Sequence, residues 1–359
     1  MKAKQKIYSN PLDEDLNHIL IHTKGLCDEL RDKRIFMTGG TGFFGCWFLE
    51  SFAWANEKLK LNALMFVLTR DIKAFRKMAP HLVNNPSIHF LVGDVRSFNF
   101  PKGKFEFIIH AAASLNPPND AEDALDVFDI TVEGTRRVLE FARKCKVKKF
   151  LLVSSGAIYG TQKPQTTSIS EDYYGAPDPV DCRSAYAEGK RVAELLTVLN
   201  ARQFGFEAKI PRCFAFVGPY QKLDGQWAIG NFIRDGLNGG PIIVKGDGTA
   251  VRSYLYAADL MIFLWTIFLK GESCLPYNVG SEKEINIRSL AKLVSVILNL
   301  KNDIVVSKKP NKKTEIDRYV PSIKRAQKKL KLTQRITLQN AIKKTIKHLK
   351  FKEGSNNNE

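Results

Sequence analysis

A glycine-rich turn between an apolar strand and a helix is the feature that most constrains the fold of this chain. Residues Arg34 to Thr38 have the pattern of a short buried strand, and Cys46 to Ala55 have the pattern of a helix. Gly39, Gly42 and Gly45 lie between them, separated by two residues each. Glycine tolerates positive φ and lets the backbone approach a pyrophosphate, and the helix N-terminus attracts phosphate. The turn therefore predicts a dinucleotide-binding βαβ start, although an ordinary tight turn has a similar composition.

The rest of the N-terminal half repeats the alternation of strand and helix patterns. Such alternation predicts an α/β protein with a doubly wound parallel sheet, a Rossmann fold. Residues 1–32 precede it and contain a helical pattern from Leu12 to Leu30. The later predicted elements are strands at Ala63 to Leu68, Ile88 to Val92, Phe105 to His110 and Phe150 to Val153, and a helix at Val127 to Cys145.

The composition is that of an ordinary globular protein, with 359 residues, of which 44% are hydrophobic and 26% charged. No hydrophobic stretch resembles a signal peptide, and the most apolar run, Leu260 to Leu269, is too short to span a bilayer and predicts a buried helix. We therefore expect a cytoplasmic protein without membrane contact. The cysteines have no metal-binding spacing, so we expect free thiols and no metal site: Cys27, Cys46, Cys145, Cys182, Cys213 and Cys274.

The net charge of +18 is concentrated near the C-terminus. Residues 301–359 contain 17 Lys and Arg against 5 Asp and Glu. Many of these lysines alternate with apolar residues at helical spacing, so they predict the solvated face of a packed helix. Aromatic side chains do not interleave with them as a nucleic-acid stacking surface would require, and we expect no nucleic-acid partner. The apolar positions are Leu338, Ala341, Ile342, Ile346 and Leu349.

The ends of the predicted strands indicate which dinucleotide binds. Arg70 follows the second strand, where a basic residue can pair with the 2′-phosphate of NADP, whereas Asp71 stands one position late for the ribose contact typical of NAD. The cofactor is thus NAD or NADP, with Arg70 favouring NADP. Asp94, after the third strand, is a candidate for the adenine amine or a turn cap. Small residues, Ala111 to Ala113, leave room for the cofactor after the fourth strand.

A catalytic group is predicted at the end of the fifth strand and on the following helix. Ser155 ends the strand, and Tyr186 and Lys190 lie four residues apart on one helix face. Lysine beside a phenol, with the positive charge of the nicotinamide nearby, favours phenolate and is expected to lower the tyrosine pKa toward neutrality, so that Tyr186 can move a proton during hydride transfer. A second Tyr-x-x-x-Lys pattern begins at Tyr159, but Gly160 and Pro164 oppose a helix there.

Together these motifs resemble the extended short-chain dehydrogenase/reductases of the NAD-dependent epimerase/dehydratase family, which act on nucleotide sugars. The resemblance covers residues 33–351 and implies a triad of Ser155, Tyr186 and Lys190. It implies that the pyrophosphate lies on the glycine turn. The candidate cofactor residues are Gly39, Thr41, Gly42, Phe43, Phe44, Gly45, Arg70, Asp94, Val95, Ala111, Ala112 and Ala113, with Tyr186 and Lys190.

The resemblance also implies a second, smaller lobe that binds the sugar nucleotide. Segment 245–254 resembles the family's diphosphate-binding turn and contains Arg252, and a later signature contains Arg318. These two arginines and Asn231 are the candidate substrate residues. The implied division is 33–215 for the Rossmann domain with parts of 246–280, then 216–245 and 278–352 for the lobe, and 353–359 as a disordered tail. The family also implies a homodimer formed through helices near 126–144 and 185–204.

Two departures from the family bear on the reaction. The 4,6-dehydratases and decarboxylating members carry an acidic residue just after the catalytic Ser or Thr, but this chain has Gly156 and Ala157. Ala215 and Thr131 replace two asparagines that are usual in the family. We therefore expect a nucleotide-sugar 4-epimerase or a 4-keto reductase. A 4,6-dehydratase and a catalytically silent NAD(P)-binding protein are the alternatives.

Overall fold

The first strand, β1 (Arg34–Thr38), is buried along almost its whole length, which is typical of a strand inside a parallel sheet. In this computed structural model, which describes residues 10–114, 121–301, 304–310 and 315–356, Ile35 and Met37 belong to one hydrophobic core and Phe36 to another. Successive side chains of a strand point to opposite sides of a sheet. Helices therefore have to cover both faces of this one.

The described strands form one large sheet and three small ones. The large sheet is parallel, with the order β3-β2-β1-β4-β5-β7-β12, and β6 pairs with β7. The strands are β2 (Leu64–Thr69), β3 (Ile88–Val92), β4 (Phe107–His110), β5 (Lys149–Leu152), β6 (Ser154–Ser155), β7 (Glu207–Cys213), β8 (Phe216–Val217), β9 (Ile242–Val244), β10 (Val251–Ser253), β11 (Leu255–Tyr256), β12 (Pro276–Val279), β13 (Glu284–Asn286), β14 (Ile304–Val306) and β15 (Arg318–Tyr319).

The strand order confirms the predicted doubly wound sheet. The chain moves outward from β1 to β3 and then crosses to β4 on the other side of β1. Ligands of such sheets bind at the carboxyl ends of the strands beside this reversal. The crevice therefore lies where the glycine turn after β1 faces the alanines after β4, and the predicted strand positions are correct to within two residues.

Two helices start earlier than the sequence pattern indicates, because their first turns lack apolar residues at helical spacing. Helix α2 begins at Phe43 and α5 at Ala121, and α11 continues to Asn356, so residues 353–356 are helical rather than a tail. Residues 357–359 lie outside the described residues. The helices are α1 (Asp13–Cys27), α2 (Phe43–Leu59), α3 (Ile72–Met78), α4 (Pro80–Val83), α5 (Ala121–Cys145), α6 (Ala185–Phe204), α7 (Ala228–Leu237), α8 (Ala257–Lys270), α9 (Ile287–Leu298), α10 (Lys324–Leu330) and α11 (Leu338–Asn356).

The N-terminal helix α1 covers the apolar helix α8. Every residue of α8 except its last is buried, so this helix needs a cover on the side away from the sheet. Helix α1 supplies it with Leu16 and Ile19, which belong to the same core. Two polar contacts fix the packing: the fully buried Asp259 lies 3.2 Å from His18 Nε2, and Tyr256 donates a 2.6 Å hydrogen bond to Asp15. The structure thereby gives residues 12–30 a packing role that the sequence did not reveal.

Two candidate substrate residues, Arg252 on β10 and Arg318 on β15, lie in one of the three small sheets. Strand β10 lies between β13 and β15, and β9 pairs with β14. Strand β12 joins the large sheet from residues 276–279, as expected for a segment that completes it. The division into two domains at the residues given above stays a prediction.

Candidate active site

The glycine turn has the close packing expected of a pyrophosphate cradle. Gly39 has φ of +73°, and a Cβ there would lie 2.5 Å from the Ala111 carbonyl carbon. A Cβ at Gly45 would lie 2.3 Å from the Gly39 carbonyl oxygen. At Gly42, the residue before helix α2, a Cβ would meet only Gly39 O at 3.6 Å, so the exposed side of the turn is open. The turn therefore fits a dinucleotide phosphate against a helix N-terminus.

The neighbours of the three glycines have different surroundings. Phe43 and Phe44 are partly buried, and Phe44 packs edge-on against Phe216 at 5.2 Å between ring centroids. Thr41 is half-buried in the turn. Gly40, which the spacing argument passed over, also has no room for a side chain, since a Cβ would lie 2.3 Å from Val67 Cγ1. Glycine is required at position 40 because this residue packs against β2, and the glycine spacing of the motif does not predict that requirement.

The end of β2 separates the roles of Arg70 and Asp71. Arg70 is exposed beside Asp94, whose carboxylate it helps to stabilise. The Asp71 carboxylate accepts a 3.0 Å hydrogen bond from the Ala74 amide and caps helix α3. This helix cap accounts for the aspartate at position 71 without any contact to a ribose.

Asp94 is engaged by an arginine that the sequence argument did not identify. Arg96 donates two 3.0 Å hydrogen bonds to the Asp94 carboxylate and a 2.6 Å hydrogen bond to Asp126. The Arg96 guanidinium holds the pKa of Asp94 below its usual value. The backbone amide of Arg96 donates to Asp94 as well, so the turn-cap interpretation of Asp94 describes its present contacts. Val95 is buried against Gly134.

The alanines after β4 line the crevice opposite the glycine turn. Ala111, Ala112 and Ala113 are all partly exposed there. Behind them, the Thr38 hydroxyl contacts His110 Nδ1 at 2.7 Å and accepts from the Ala112 amide at 3.2 Å. Burial lowers the pKa of His110 to about 3, so its imidazole is neutral at physiological pH. His110 therefore braces the floor of the crevice through hydrogen bonds rather than charge.

The structure brings Ser155, Tyr186 and Lys190 together as predicted from the sequence. Ser155 ends β6 and accepts a 3.1 Å hydrogen bond from the Ala157 amide, and the Tyr186 hydroxyl lies near Ser155. The Lys190 ammonium lies 6.0 Å from the centroid of the Tyr186 ring and donates a 2.8 Å hydrogen bond to the Val153 carbonyl. The three side chains come from β6 and the first two turns of α6.

Burial sets the pKa values of the two ionisable members. Burial raises the pKa of Tyr186 to about 12, and the hydrogen bond with Ser155 only partly offsets it. Burial also lowers the pKa of Lys190 to about 8, so part of its charge is lost near neutral pH. These values belong to the chain without the nicotinamide charge that the expectation included, so a lowered pKa of Tyr186 beside bound cofactor stays a prediction.

A buried polar network holds helix α6, which carries Tyr186 and Lys190, in place. Glu194, four residues after Lys190 on α6, accepts hydrogen bonds from the Ser154 hydroxyl at 2.5 Å and from Arg212 at 2.7 Å. Arg212 also donates to the Tyr159 hydroxyl at 2.9 Å, which in turn donates to Asn278 on β12. No pattern in the sequence predicted this network. The one feature of it that the sequence displays is the i+4 spacing from Lys190 to Glu194.

The candidate substrate residues lie on the small sheet and on α7. Arg252 on β10 pairs with Asp317 at 2.5 Å, and Arg318 on β15 pairs with Glu284. Both partner carboxylates are more than half exposed. Asn231 donates to the Gly225 carbonyl and accepts from Arg234, which fixes the segment before α7. Arg252 lies near the triad, opposite its strand neighbour Tyr319, whereas Arg318 and Asn231 bond to Glu284, Gly225 and Arg234.

Tyr319 is the unexpected member of the site. Its ring stacks on Phe214 with 4.7 Å between centroids, and its hydroxyl lies near Ser155 and Tyr186. A Cβ at Gly156 would lie 2.6 Å from this hydroxyl and 2.8 Å from the Phe214 ring. The position where dehydratases carry an acidic residue therefore has no space for any side chain here. No motif in the sequence linked residues 156 and 319.

The part of the chain that the structure describes contains neither a metal-binding cluster nor a membrane-spanning helix. In those residues, no three His, Cys, Asp or Glu side chains cluster in a way that could hold a metal ion. The described helices also include none with the length and hydropathy of a bilayer span. All six cysteines are free thiols.

Comparison with known proteins relates the site to nucleotide-sugar enzymes. A profile of the NAD dependent epimerase/dehydratase family matches residues 35–280. UDP-glucuronic acid decarboxylase 1 of Arabidopsis thaliana is 27% identical over 313 residues, which cover 87% of this chain and 69% of that protein.

Two solved structures share the fold. The UDP-glucuronic acid 4-epimerase of Bacillus cereus in complex with NAD superposes with a TM-score of 0.74 at 21% identity, over 89% of this chain and 99% of the other. The UDP-N-acetylglucosamine 4-epimerase of Methanobrevibacter ruminantium M1 gives a TM-score of 0.76 at 19% identity, over 90% and 99% of the two chains. At these identities the likeness shows the fold alone.

Proposed function

Because this chain belongs to the NAD dependent epimerase/dehydratase family, we propose that it is a nucleotide-sugar 4-epimerase, acting at the sugar C4 hydroxyl. The observation that supports this choice is the contact between Tyr319 and Gly156. The triad residues are present, but the place of an additional acid or base beside Ser155 is filled by a neutral phenol. Epimerisation at C4 needs one proton acceptor and donor, and Tyr186 supplies it.

The residues of the chain divide the work at C4 among them. Tyr186 takes the proton from the C4 hydroxyl and returns it after the sugar has presented its other face. Ser155 orients that hydroxyl and the phenol by hydrogen bonding, and Lys190 stabilises the phenolate through its remaining charge. Bound NAD would supply the hydride acceptor and donor. The family description and the open, side-chain-free surface at Gly42 both support NAD in the glycine turn.

Arg252 and Arg318 are proposed to bind the diphosphate of the substrate. A guanidinium matches phosphate oxygens with two parallel hydrogen bonds. Their present partners, Asp317 and Glu284, are exposed carboxylates that water can solvate, so the exchange for a phosphate leaves no buried charge unpaired. Asn231 is proposed to position the lobe segment near Gly225.

Decarboxylation, the activity in the name of the Arabidopsis relative, is not our proposal. The decarboxylating members of the family carry an acidic residue just after the catalytic Ser or Thr, whereas residues 156 and 157 of this chain are Gly and Ala and cannot transfer a proton. The same argument opposes a 4,6-dehydratase. A catalytically silent binding protein is disfavoured by the assembled Ser155, Tyr186 and Lys190.

A 4-keto reductase is the second candidate, favoured by the exposed Arg70 at the end of β2. An arginine there can pair with the 2′-phosphate of NADP, and Asp71 is occupied as a helix cap. Reduction would use the same groups, with Tyr186 giving a proton to the keto oxygen instead of taking one. Preference for NADPH over NADH, measured by titration of each into the purified protein, would favour the reductase.

The chain is also proposed to act as a homodimer in the cytoplasm. Helices α5 and α6 pack on each other, and α6 leaves Leu195 and Leu199 more than half exposed, one turn apart. A second copy of the pair would bury this apolar stripe in a four-helix arrangement. Sedimentation of the wild type and of a Leu195→Glu variant tests this, and a monomeric wild type at micromolar concentration would contradict it.

The proposed reaction is tested with a panel of UDP-glucose, UDP-glucuronic acid, UDP-N-acetylglucosamine and dTDP-glucose. Each is incubated with the protein and NAD, and the products are separated by chromatography. We expect one sugar nucleotide to equilibrate with its C4 epimer, and Tyr186→Phe to abolish this. Release of carbon dioxide, or a 4-keto-6-deoxy product, would contradict the proposal. NAD released on denaturation of the purified protein would further support an internal redox cycle.

A further inference from the structure

Tyr319 reaches the catalytic site from the substrate side of the molecule. It lies on β15, which pairs with β10 in parallel so that Tyr319 stands directly opposite Arg252. Its ring is held by Phe214, in a cluster that includes Tyr159, and its hydroxyl points at the Ser155 segment. The side chain therefore connects the strands that carry the proposed phosphate ligand to the proton-transfer group.

The approach of Tyr319 to Ser155 depends on Gly156, the residue after Ser155. With any side chain at position 156, the Tyr319 hydroxyl would be displaced, since even a Cβ would lie 2.6 Å from it. Ser155 uses one acceptor site for the Ala157 amide. A serine hydroxyl has a second acceptor site and one donor. Those two remaining positions match the two phenols within reach, Tyr319 and Tyr186.

We propose that Tyr319 is a positioning residue for the proton transfer, which donates its hydroxyl hydrogen to Ser155 so that Ser155 donates to the oxygen of Tyr186. The inference rests on the proposed role of Tyr186 as the base at C4. A hydroxyl group that accepts one hydrogen bond is polarised by it and donates its own hydrogen bond more strongly. The chain from Tyr319 through Ser155 to Tyr186 therefore stabilises the phenolate form and compensates for its burial.

The other groups around the phenol do not supply this hydrogen bond. Lys190 lies beside the ring but donates to the Val153 carbonyl, and His110 is a neutral imidazole that bridges two threonines. Glu194 is paired with Arg212. The titratable and charged groups that face Tyr186, Lys190 or Tyr319 are Lys190 and Glu194 on α6, His110 on β4, Cys213 on β7, Tyr319 on β15 and Arg252 on β10.

The first test asks whether the hydrogen bond exists, and it needs no substrate. Thermal unfolding is measured for the wild type, Tyr319→Phe, Ser155→Ala and the double variant. We expect Tyr319→Phe to lower Tm by about 1–2 °C in the wild type, and by clearly less when Ser155 is already Ala. Equal losses in both backgrounds would overturn the proposed contact. This outcome is independent of the reaction that the protein catalyses.

The second test measures the pH dependence of turnover, with whichever sugar nucleotide of the panel reacts. Phenylalanine at 319 keeps the ring on Phe214 and removes only the hydroxyl. We expect kcat to fall about tenfold with little change in KM, and the rising limb of the kcat profile to move up by about half to one pH unit. Tyr173→Phe is the matched control, because its ring packs against the same cluster while its hydroxyl contacts Thr161 and Lys163 on a loop.

The outcomes separate this inference from the proposed function. An unchanged profile in Tyr319→Phe, with Tyr186→Phe inactive, would overturn the positioning role and leave the reaction in place. A raised KM with an unmoved limb would also overturn it, since Tyr319 would then act by touching the substrate. If no panel member reacts with the wild type, the proposed function fails, and the unfolding cycle alone decides whether Tyr319 bonds Ser155.

Discussion

Replacement of Gly156 by alanine is the most direct perturbation of the site geometry. The added methyl group would lie 2.6 Å from the Tyr319 hydroxyl oxygen and 2.8 Å from two ring carbons of Phe214. Real Cβ atoms do not make contacts this short, so either the two rings or the backbone at Ser155 must move. The same substitution at a glycine in open space would be harmless, which makes the effect a measure of this packing.

The magnitude follows from the rigidity of the surrounding side chains. Phe214 is buried and stacks on Tyr319, so neither ring can swing into solvent without loss of core contacts. Overpacking of this kind costs about 1–3 kcal/mol in the free energy of unfolding. Because the displaced hydroxyl is the one proposed to donate to Ser155, we expect kcat to fall as well, by at least as much as in Tyr319→Phe.

Urea denaturation and steady-state kinetics of Gly156→Ala provide the assay. Gly225→Ala is the control, since its nearest neighbour would be Trp227 at 3.9 Å, and it should unfold within about 0.5 kcal/mol of the wild type. Combining Gly156→Ala with Tyr319→Phe removes the shorter contact but keeps the one with Phe214, so stability should recover only in part. If Gly156→Ala unfolds like the wild type, our account of why this position is glycine is refuted.

Three further predictions concern buried charges. Glu194→Ala should destabilise the chain by about 3–5 kcal/mol in denaturant unfolding, because it leaves the Arg212 guanidinium, only 14% exposed, without its carboxylate; a loss below 1 kcal/mol would show that the pair is not needed. Asp259→Ala should cost about 2–5 kcal/mol and loosen α1, since the carboxylate accepts from the amides of Arg335 and Ile336 at 2.8 Å and contacts His18; hydrogen exchange in residues 13–27 that stays at the wild-type rate would contradict this coupling. The pKa of Lys190 is about 8 in the folded chain and 10.5 in the ordinary case, so between these values the folded state loses the proton while the unfolded state keeps it. Because the unfolded state then binds more protons, the contribution of Lys190 to stability rises with pH above about 8. Relative to a Lys190→Met variant, the wild type should gain about 2 kcal/mol between pH 8 and pH 10, and parallel stability curves for the two proteins would be the contrary result.

The dinucleotide fold and the triad could be predicted because local pattern carries them. A buried strand, glycines at fixed spacing and an amphipathic helix depend on neighbours in the chain, so Gly39, Gly42 and Gly45 were identifiable. Tyr186 and Lys190 share a helix face through the i, i+4 rule, and the structure confirms that helix. Helix ends were predicted less well, because the first turns of α2 and α5 lack apolar periodicity.

The pKa values and the supporting contacts depended on tertiary structure. Burial, which raises the pKa of Tyr186 to about 12, is a property of the assembled core and not of the residues beside it in sequence. The network from Glu194 through Arg212 to Asn278 joins residues from distant parts of the chain. The same holds for α1, whose apolar and acidic pattern predicted a helix but gave no sign of α8 as its partner.

The sequence alone determined the fold class and the glycine turn and indicated Tyr186 as the candidate proton-transfer group, because each is encoded in short-range spacing of side chains. It also showed that Gly156 and Ala157 cannot act as acids, since that follows from residue type. Only the tertiary structure decided what stands beside Gly156 instead. Tyr319 is 163 positions away and lies against Gly156 because β15 pairs with β10 and its ring stacks on Phe214, contacts that no local pattern specifies.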